Sequence, residues 1–342
     1  MLICISIAFH FSLSSIHSLK AQVAGLNTLS VLDLGSTARS AGLGMDWLPY
    51  YGGGLAVGID NPSLLHASMA GTGVLSFVPM YDGSNMGSLS YAHSFGSVGT
   101  FAFGFHFFNY GRFHGYDEEE TYEGDFGAGD YALSVGWGMW LDSSFSVGVN
   151  FKPVLSQYES YTALAAAFDL SGSYTSPDRS FCASLMARNV GAQLLTFDGS
   201  AERLPFELSA ALSYKLRNAP FRLFFAATEL QRWDLRYDDP LHPTSITDPF
   251  SGEVTEESWL AGTFDNLMRH TLFGVELALG RLYASVGYSW RQTAEMRGVD
   301  AFNLSGFAFG VGLRTRRLEV AFARRNHHLS QAPNYITLSY KF

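Results

Sequence analysis

Two cysteines and few charges set the first limits on this 342-residue chain, in which charged side chains make up 15% of the total. Cys4 falls in an N-terminal stretch expected to be removed, so Cys182 alone would remain, and neither an internal disulfide nor a thiolate zinc site can form. Cys182 reads as a small apolar side chain, buried or facing lipid. Positive charge is also scarce. A net charge of −9 is the wrong sign for a nucleic-acid partner, which needs a basic surface to neutralise phosphates. Beyond the N-terminus no run approaches the roughly 20 apolar residues that take a helix across a bilayer, so helical membrane spans are excluded.

Catalytic signatures are missing as well. There is no Ser in G-x-S-x-G, no Lys three residues after a Ser, no zincin His-Glu pair, no P-loop and no dinucleotide G-x-G-x-x-G. Of the strand histidines, His93 and His106, alternation turns His106 inward, away from any lipid substrate. We therefore expect no enzyme, no catalytic or cofactor-binding residue, no metal site and no cofactor.

Apolar residues are nonetheless abundant. They make up 47% of the chain and aromatics 15%, with a mean hydropathy of +0.07. The pattern resolves the contradiction, because strand side chains point alternately to opposite faces and a lipid-facing strand needs apolar residues only at every second position. Ile336, Leu338, Tyr340 and Phe342 share one face of the C-terminal segment, and Tyr335, Thr337, Ser339 and Lys341 share the other. Phe101, Phe103, Phe105 and Phe107 alternate in the same way with Thr100, Ala102, Gly104 and His106, and Tyr131, Leu133, Val135, Trp137 and Met139 with Ala132, Ser134, Gly136 and Gly138. The second face is small and polar rather than charged, which suggests a filled lumen rather than an open pore. Backbone polar groups in hydrocarbon must be hydrogen-bonded internally, so the spanning solution left is a closed barrel. A soluble β-sandwich would share the alternation, but not the concentration of apolar residues on one face.

Segments of this kind predict an all-β fold, a transmembrane antiparallel β-barrel of roughly fourteen strands. They run over 72–80, 87–94, 98–109, 128–140, 144–157, 161–174, 178–189, 204–216, 220–230, 267–279, 281–290, 303–315, 317–326 and 333–342. With both ends in the periplasm, the periplasmic turns are all short. The outer connections 110–127, 190–203, 231–266 and 291–302 are longer, as outer-membrane barrels require. The expected location is the outer membrane, in contact with its lipid and lipopolysaccharide.

Two N-terminal segments have a different texture. Residues 1–21 read as a signal peptide, with an apolar core at Leu2–Leu13 and cleavage expected after Leu19-Lys20-Ala21, although its n-region lacks Lys and Arg. Residues 22–71 are too long for a linker and too irregular for strands. They are expected to form a Gly-rich, partly helical plug or hatch in the lumen, with Arg39 and Asp60 finding polar partners there; a periplasmic arm is the alternative. Residues 72–342 form the barrel.

Within the N-terminal segment, Ser36-Thr37-Ala38-Arg39-Ser40-Ala41-Gly42-Leu43-Gly44 is followed by Asp60-Asn61-Pro62-Ser63-Leu64-Leu65. These stretches resemble the N-terminal region shared by FadL-type fatty-acid transporters and the PorV/PorQ proteins of the type IX secretion system. Leu204–Leu208, Asn218–Arg222, Arg269–Leu277, Val286-Gly287-Tyr288 with Arg291-Gln292, and Gly306–Arg314 favour the second branch, most like PorQ. The resemblance covers essentially the whole mature chain. It implies a FadL-like fourteen-stranded barrel in the outer membrane, part of the assembly that attaches secreted cargo to the cell surface. It also implies attachment-complex partners of the PorZ, PorU and PorV kind, with the barrel anchoring a PorZ-like surface protein through its outer loops. The alternative function is a FadL-like channel for hydrophobic small molecules.

Three outer segments stand out, of which the first is the candidate partner contact. Loop 231–266 interleaves Trp233, Leu235, Tyr237, Phe250, Trp259, Leu260 and Phe264 with acidic residues, a mixture suited to a protein partner. The run Asp117, Glu118, Glu119, Glu120, Glu123 and Asp125 reads as an acidic surface loop, with divalent-cation binding as the alternative. His327-His328 reads as a solvated pair in an outer loop.

Overall fold

The computed structural model describes residues 29–33, 35–117, 119–236, 245–247, 254–256, 258–296, 304–326 and 332–342. The signal-peptide expectation at 1–21 lies outside the described residues. Two units are distinguished: Asn27–Arg236 with Glu257–Phe342, and Met1–Leu26 with Tyr237–Glu256.

The larger unit is a closed antiparallel barrel. Its wall comprises β1 (Thr72–Pro79), β2 (Asn85–Ser94), β3 (Thr100–Tyr116), β4 (Tyr122–Trp140), β5 (Phe145–Tyr158), β6 (Tyr161–Thr175), β7 (Phe181–Leu195), β8 (Glu207–Lys215) and β9 (Phe221–Ala227). In the smaller unit, β10 (Ser245–Thr247) and β11 (Val254–Glu256) pair as a two-stranded sheet. The wall resumes with β12 (Thr271–Leu279), β13 (Leu282–Ser289), β14 (Phe307–Arg314), β15 (Leu318–Arg325) and β16 (Asn334–Lys341). Neighbours in the chain are neighbours in the ring, β9 pairs with β12, and β1 closes on β16 with Thr72 opposite Lys341 and Phe77 opposite Ile336. Closure removes every free sheet edge, which satisfies the backbone without water.

Alternation decides what faces where. In β15, Leu318, Val320 and Phe322 are exposed while Glu319, Ala321 and Ala323 are buried, and in β16 Ile336, Leu338 and Tyr340 point out while Tyr335, Thr337 and Ser339 point in. Phe103, Phe105, Leu133, Val135, Val286 and Phe309 extend the same outward band on other strands. An unbroken apolar exterior of this kind on a closed barrel is stable only against hydrocarbon. The protein is a transmembrane β-barrel of the outer membrane, with its short turns on the periplasmic side.

Strand length differs around the ring, and several expected boundaries shift accordingly. β3 and β4 have 17 and 19 residues, more than a bilayer requires, and continue as one paired ribbon to Tyr116 and Tyr122. The expected loop 110–127 is therefore mostly strand, and Glu123 and Asp125 lie in β4. β9 and β12–β16 have 7 to 9 residues each, and helices stand where more strand was expected. Short helices α1 (Ala38–Ala41) and α2 (Leu55–Gly58) lie in the N-terminal segment. Longer ones follow at α3 (Trp259–Arg269) and α4 (Trp290–Glu295). Residues 267–269 thus belong to a helix and β12 begins at Thr271; Trp290 likewise starts a helix rather than ending a strand. Period-two reading overran at both places because apolar helical residues flank the strands directly.

Candidate functional site

The inward face of the barrel meets the described residues of 29–70, most of which are buried from Val31 to Leu65. Helix α1 begins where the Ala38 amide donates to the Thr337 hydroxyl of β16 at 2.8 Å, so a wall side chain serves an amide that has no acceptor within the helix. One position along, Arg39 is 4% exposed. Its guanidinium donates to both carboxylate oxygens of Glu276 on β12, at 3.0 and 2.9 Å, and to Glu319 on β15 at 3.1 Å. It also lies 4.4 Å from the Tyr283 ring centroid and 4.8 Å from that of Tyr50. Glu319 accepts further bonds from the Tyr283 hydroxyl at 3.0 Å and from Arg314 at 2.6 Å. Ions this deep each lose several kcal/mol of hydration, on the order of what close pairing recovers, so this cluster holds the segment in one place rather than adding much net stability.

A second cluster follows. Asp46 accepts from Arg325 of β15 at 2.6 Å and lies 3.7 Å from Arg188 of β7, which pairs with Glu207 of β8 at 3.3 Å. Nearby on the wall, Lys152 and Asp169 are 2.7 Å apart. The expectation of a small, uncharged inner face is corrected here: the inner face carries Lys152, Asp169, Arg188, Glu207, Arg222, Glu276, Glu319 and Arg325. A signal was legible, since Glu276 between Val275 and Leu277, and Glu319 between Leu318 and Val320, occupy the polar phase of apolar strands, where a charge must face the lumen.

The two N-terminal motifs meet each other. Ser36 and Ser40 donate to the Asp60 carboxylate at 2.5 and 3.1 Å. Beyond Asp60, Ser63 donates to Asn61 at 2.7 Å, its amide reaches Ser171 at 2.9 Å, and its hydroxyl lies 2.6 Å from that of Ser173. Pro62 rests against Gly148 and Gly138, where an added Cβ would stand 2.2 Å from its backbone. Across the barrel, an added Cβ at Gly287 would stand 2.1 Å from the Leu43 backbone, and one at Gly310 3.0 Å from the Cα of Gly42. The segments that carry the family resemblance thus converge inside the barrel, where they act as packing and pairing groups. The cavity left beside Asp60, His106, Lys152 and Arg188 is about 40 Å³, room for water but not for a substrate. A larger hollow, about 630 Å³, lies on the outer wall over Phe145, Gly172, Leu185 and Ala210.

The outer end is organised around α3. Asp265 accepts from the Trp290 indole at 2.9 Å and from Arg269 at 2.8 Å, which ties α3 to α4. Burial opposes the charge of Asp265, but those two donors outweigh it and its carboxyl titrates below the usual aspartate range. Asn266 bridges the Leu235 amide at 2.9 Å and the Trp233 carbonyl at 2.7 Å. Trp233 stacks on His270 with ring centroids 5.8 Å apart. Of the expected contact residues, Trp233, Trp259, Leu260 and Phe264 are exposed, Trp259 at 77%, whereas Leu235 is buried and unavailable. Tyr237, Phe250, His327 and His328 lie outside the described residues. Leu267 is exposed on the same helix and was missed because it had been assigned to a strand.

The acidic run has local partners. Asp125 is held by Tyr122 at 2.8 Å and His114 at 2.5 Å, and Asp117 accepts the amides of Glu119 and Thr121 in the turn; Glu118 lies outside the described residues. No group of three or more metal-ligating side chains occurs among the described residues.

No protein-family model matches the chain, and no curated protein matches it. Solved structures do. A monoaromatic hydrocarbon channel, the TodX deltaS2 mutant, aligns over 92% of this chain and 100% of its own with TM-score 0.52 at 13% identity. The toluene transporter TodX of Pseudomonas putida aligns over 91% of this chain and 100% of its own with TM-score 0.50 at 14% identity. The fold is the outer-membrane β-barrel fold that these channels share. At these identities the likeness is one of fold.

Proposed function

We propose that this barrel is an anchor: it holds a surface protein of the type IX attachment machinery through its outer face, in the manner of the PorQ branch it resembles. The observation that carries this reading is the exposed apolar group of Trp259, Leu260 and Phe264 on a helix that is itself pinned through Asp265 and Asn266, with exposed Trp233 held beside it by Asn266 and His270. Large exposed aromatics on a rigid support are the residues that dominate protein interfaces. The filled lumen agrees with an anchoring role, since residues 29–70 are tied to the wall by buried ion pairs and leave little space.

A channel for hydrophobic small molecules is the second reading, favoured by the fold shared with the TodX channels. It requires the ion-paired segment to move. Affinity purification from solubilised membranes separates the two: a stoichiometric surface-protein partner supports the anchor, whereas a copurified apolar molecule without a protein partner overturns it.

A further inference from the structure

The periplasmic mouth carries a pocket of about 190 Å³ at the seam where β14, β15, β16 and β1 meet, lined by the β14–β15 turn, Gly52, His66 and Ser68. Its chemistry differs from that of the chain as a whole. Arg316, Arg317 and Lys341 gather around it in a protein whose net charge is −9, and the one carboxylate in its lining, Glu319, is already engaged by Arg39 and Arg314. Lys341 donates to the Ser68 carbonyl at 2.8 Å, and Arg314 to the carbonyls of Gly52 and Gly53 at 2.7 and 3.1 Å. These bonds fix the floor without neutralising it.

Two features suit the pocket to an anionic ligand. Arg316 and Arg317 are exposed and their guanidiniums have no partner among the described residues. Ser339, in the lining, is 8% exposed and its hydroxyl has no hydrogen-bond partner. A buried hydroxyl without a partner is unfavourable, so an acceptor supplied from outside would be favoured there.

We propose that this pocket binds the phosphate headgroup of a phospholipid in the periplasmic leaflet. The charge calls for an anion, and paired guanidiniums match phosphate oxygens. Position selects a lipid over a free ion: Leu318, Tyr340 and Phe342 project outward beside the pocket, Phe342 at 79% exposure, and offer an apolar track for acyl chains that the pocket is too small to enclose. The site does not depend on the anchoring role, because it lies at the opposite end of the barrel from α3.

Native mass spectrometry of the full-length protein, released in mild detergent and offered phosphatidylglycerol, diacylglycerol with the same chains, or inorganic phosphate, tests this. Wild type should retain one phosphatidylglycerol and reject diacylglycerol. Arg316→Ala with Arg317→Ala should lower retention at least tenfold while the heat-modifiable, folded band is unchanged, and Arg316→Lys with Arg317→Lys, which keeps the charge but not the guanidinium fork, should fall between the two. Ser339→Ala, which keeps both arginines, should lower it a few-fold and serves if the double variant is poorly folded. Equal retention by the Ala variants, or equal retention of diacylglycerol, overturns the proposal. So does binding of inorganic phosphate with phosphatidylglycerol rejected, which would mark a free-anion site.

Discussion

Helix α1 and the turn Asn61–Leu64 meet opposite sides of the same ring, both through short hydroxyls and close glycine contacts, but only α1 adds a long charged side chain. Toward β12 and β15, Arg39 spans the gap to Glu276 and Glu319 with a long charged side chain, aided by the Tyr283 face. Toward β4, β5 and β6, Pro62 and Ser63 come so near the wall that Gly138, Gly148 and the hydroxyls of Ser171 and Ser173 are what fits. Distance explains the difference. Where backbone meets backbone, glycine and short hydroxyls suffice; where a gap must be crossed without water, only an extended donor matched to carboxylates avoids leaving polar groups unpaired.

The largest effect should follow from removing the long side chain. Arg39→Ala leaves Glu276 and Glu319 buried without their shared counter-charge, and a loss of about 3 to 5 kcal/mol is expected in urea unfolding of the micelle-bound protein. If Arg39→Met matched wild type with both glutamates intact, charge would not be what secures this side.

The outer wall provides a reference for those numbers. Phe103→Arg, on the lipid face, should cost about 2 to 4 kcal/mol, while Ala102→Ser on the inward face should cost far less. Equal folding of the two would reverse the facing on which the whole comparison stands.

On the side of the turn, Gly148→Ala drives a Cβ to 2.2 Å from the Pro62 backbone. Overpacking of this kind should cost about 1 to 3 kcal/mol, and proteolysis of residues 29–70 should become faster even though the barrel persists. Unaltered proteolysis would mean that the turn can retreat freely. Smallest of all, Ser63→Ala removes a hydroxyl that Asn61 and Ser173 share and should cost about 1 kcal/mol, near the limit of unfolding measurements. A loss as large as that of Arg39→Ala would show the two anchors to be equivalent.

The outer end offers one functional break. Trp259→Ala should weaken retention of the proposed surface partner by about 2 kcal/mol, or roughly thirtyfold, with barrel abundance unchanged. Retention at wild-type levels after replacing α3 by a Gly/Ser linker would move the contact to the β3–β4 ribbon.

Much of this molecule is legible in its sequence. The fourteen wall strands and their facing follow from alternation alone, because on a barrel in lipid each residue has two environments and the polar one lies inside. Phe103 against Ala102 and Leu338 against Thr337 already state the choice. Helices α3 and α4 were not legible as such. They abut the strands directly, so the alternation runs on into Leu267 and Trp290, and over those few residues period two and period 3.6 cannot be told apart. The aromatic surface was named in part, but Leu235 could not be excluded nor Leu267 included, since their exposure depends on how α3 packs.

The sequence by itself determined that the chain is a closed barrel, which face meets lipid, and that Arg39 and Asp60 must find polar company. Only the tertiary structure decided which company. Asp60 turned to Ser36 and Ser40 in its own segment, while Arg39 crossed to Glu276 and Glu319, 237 and 280 residues away. Alternation is a local rule and survives in a string of letters. Pairing across a lumen depends on where ring closure brings the strands, and no local rule encodes that distance.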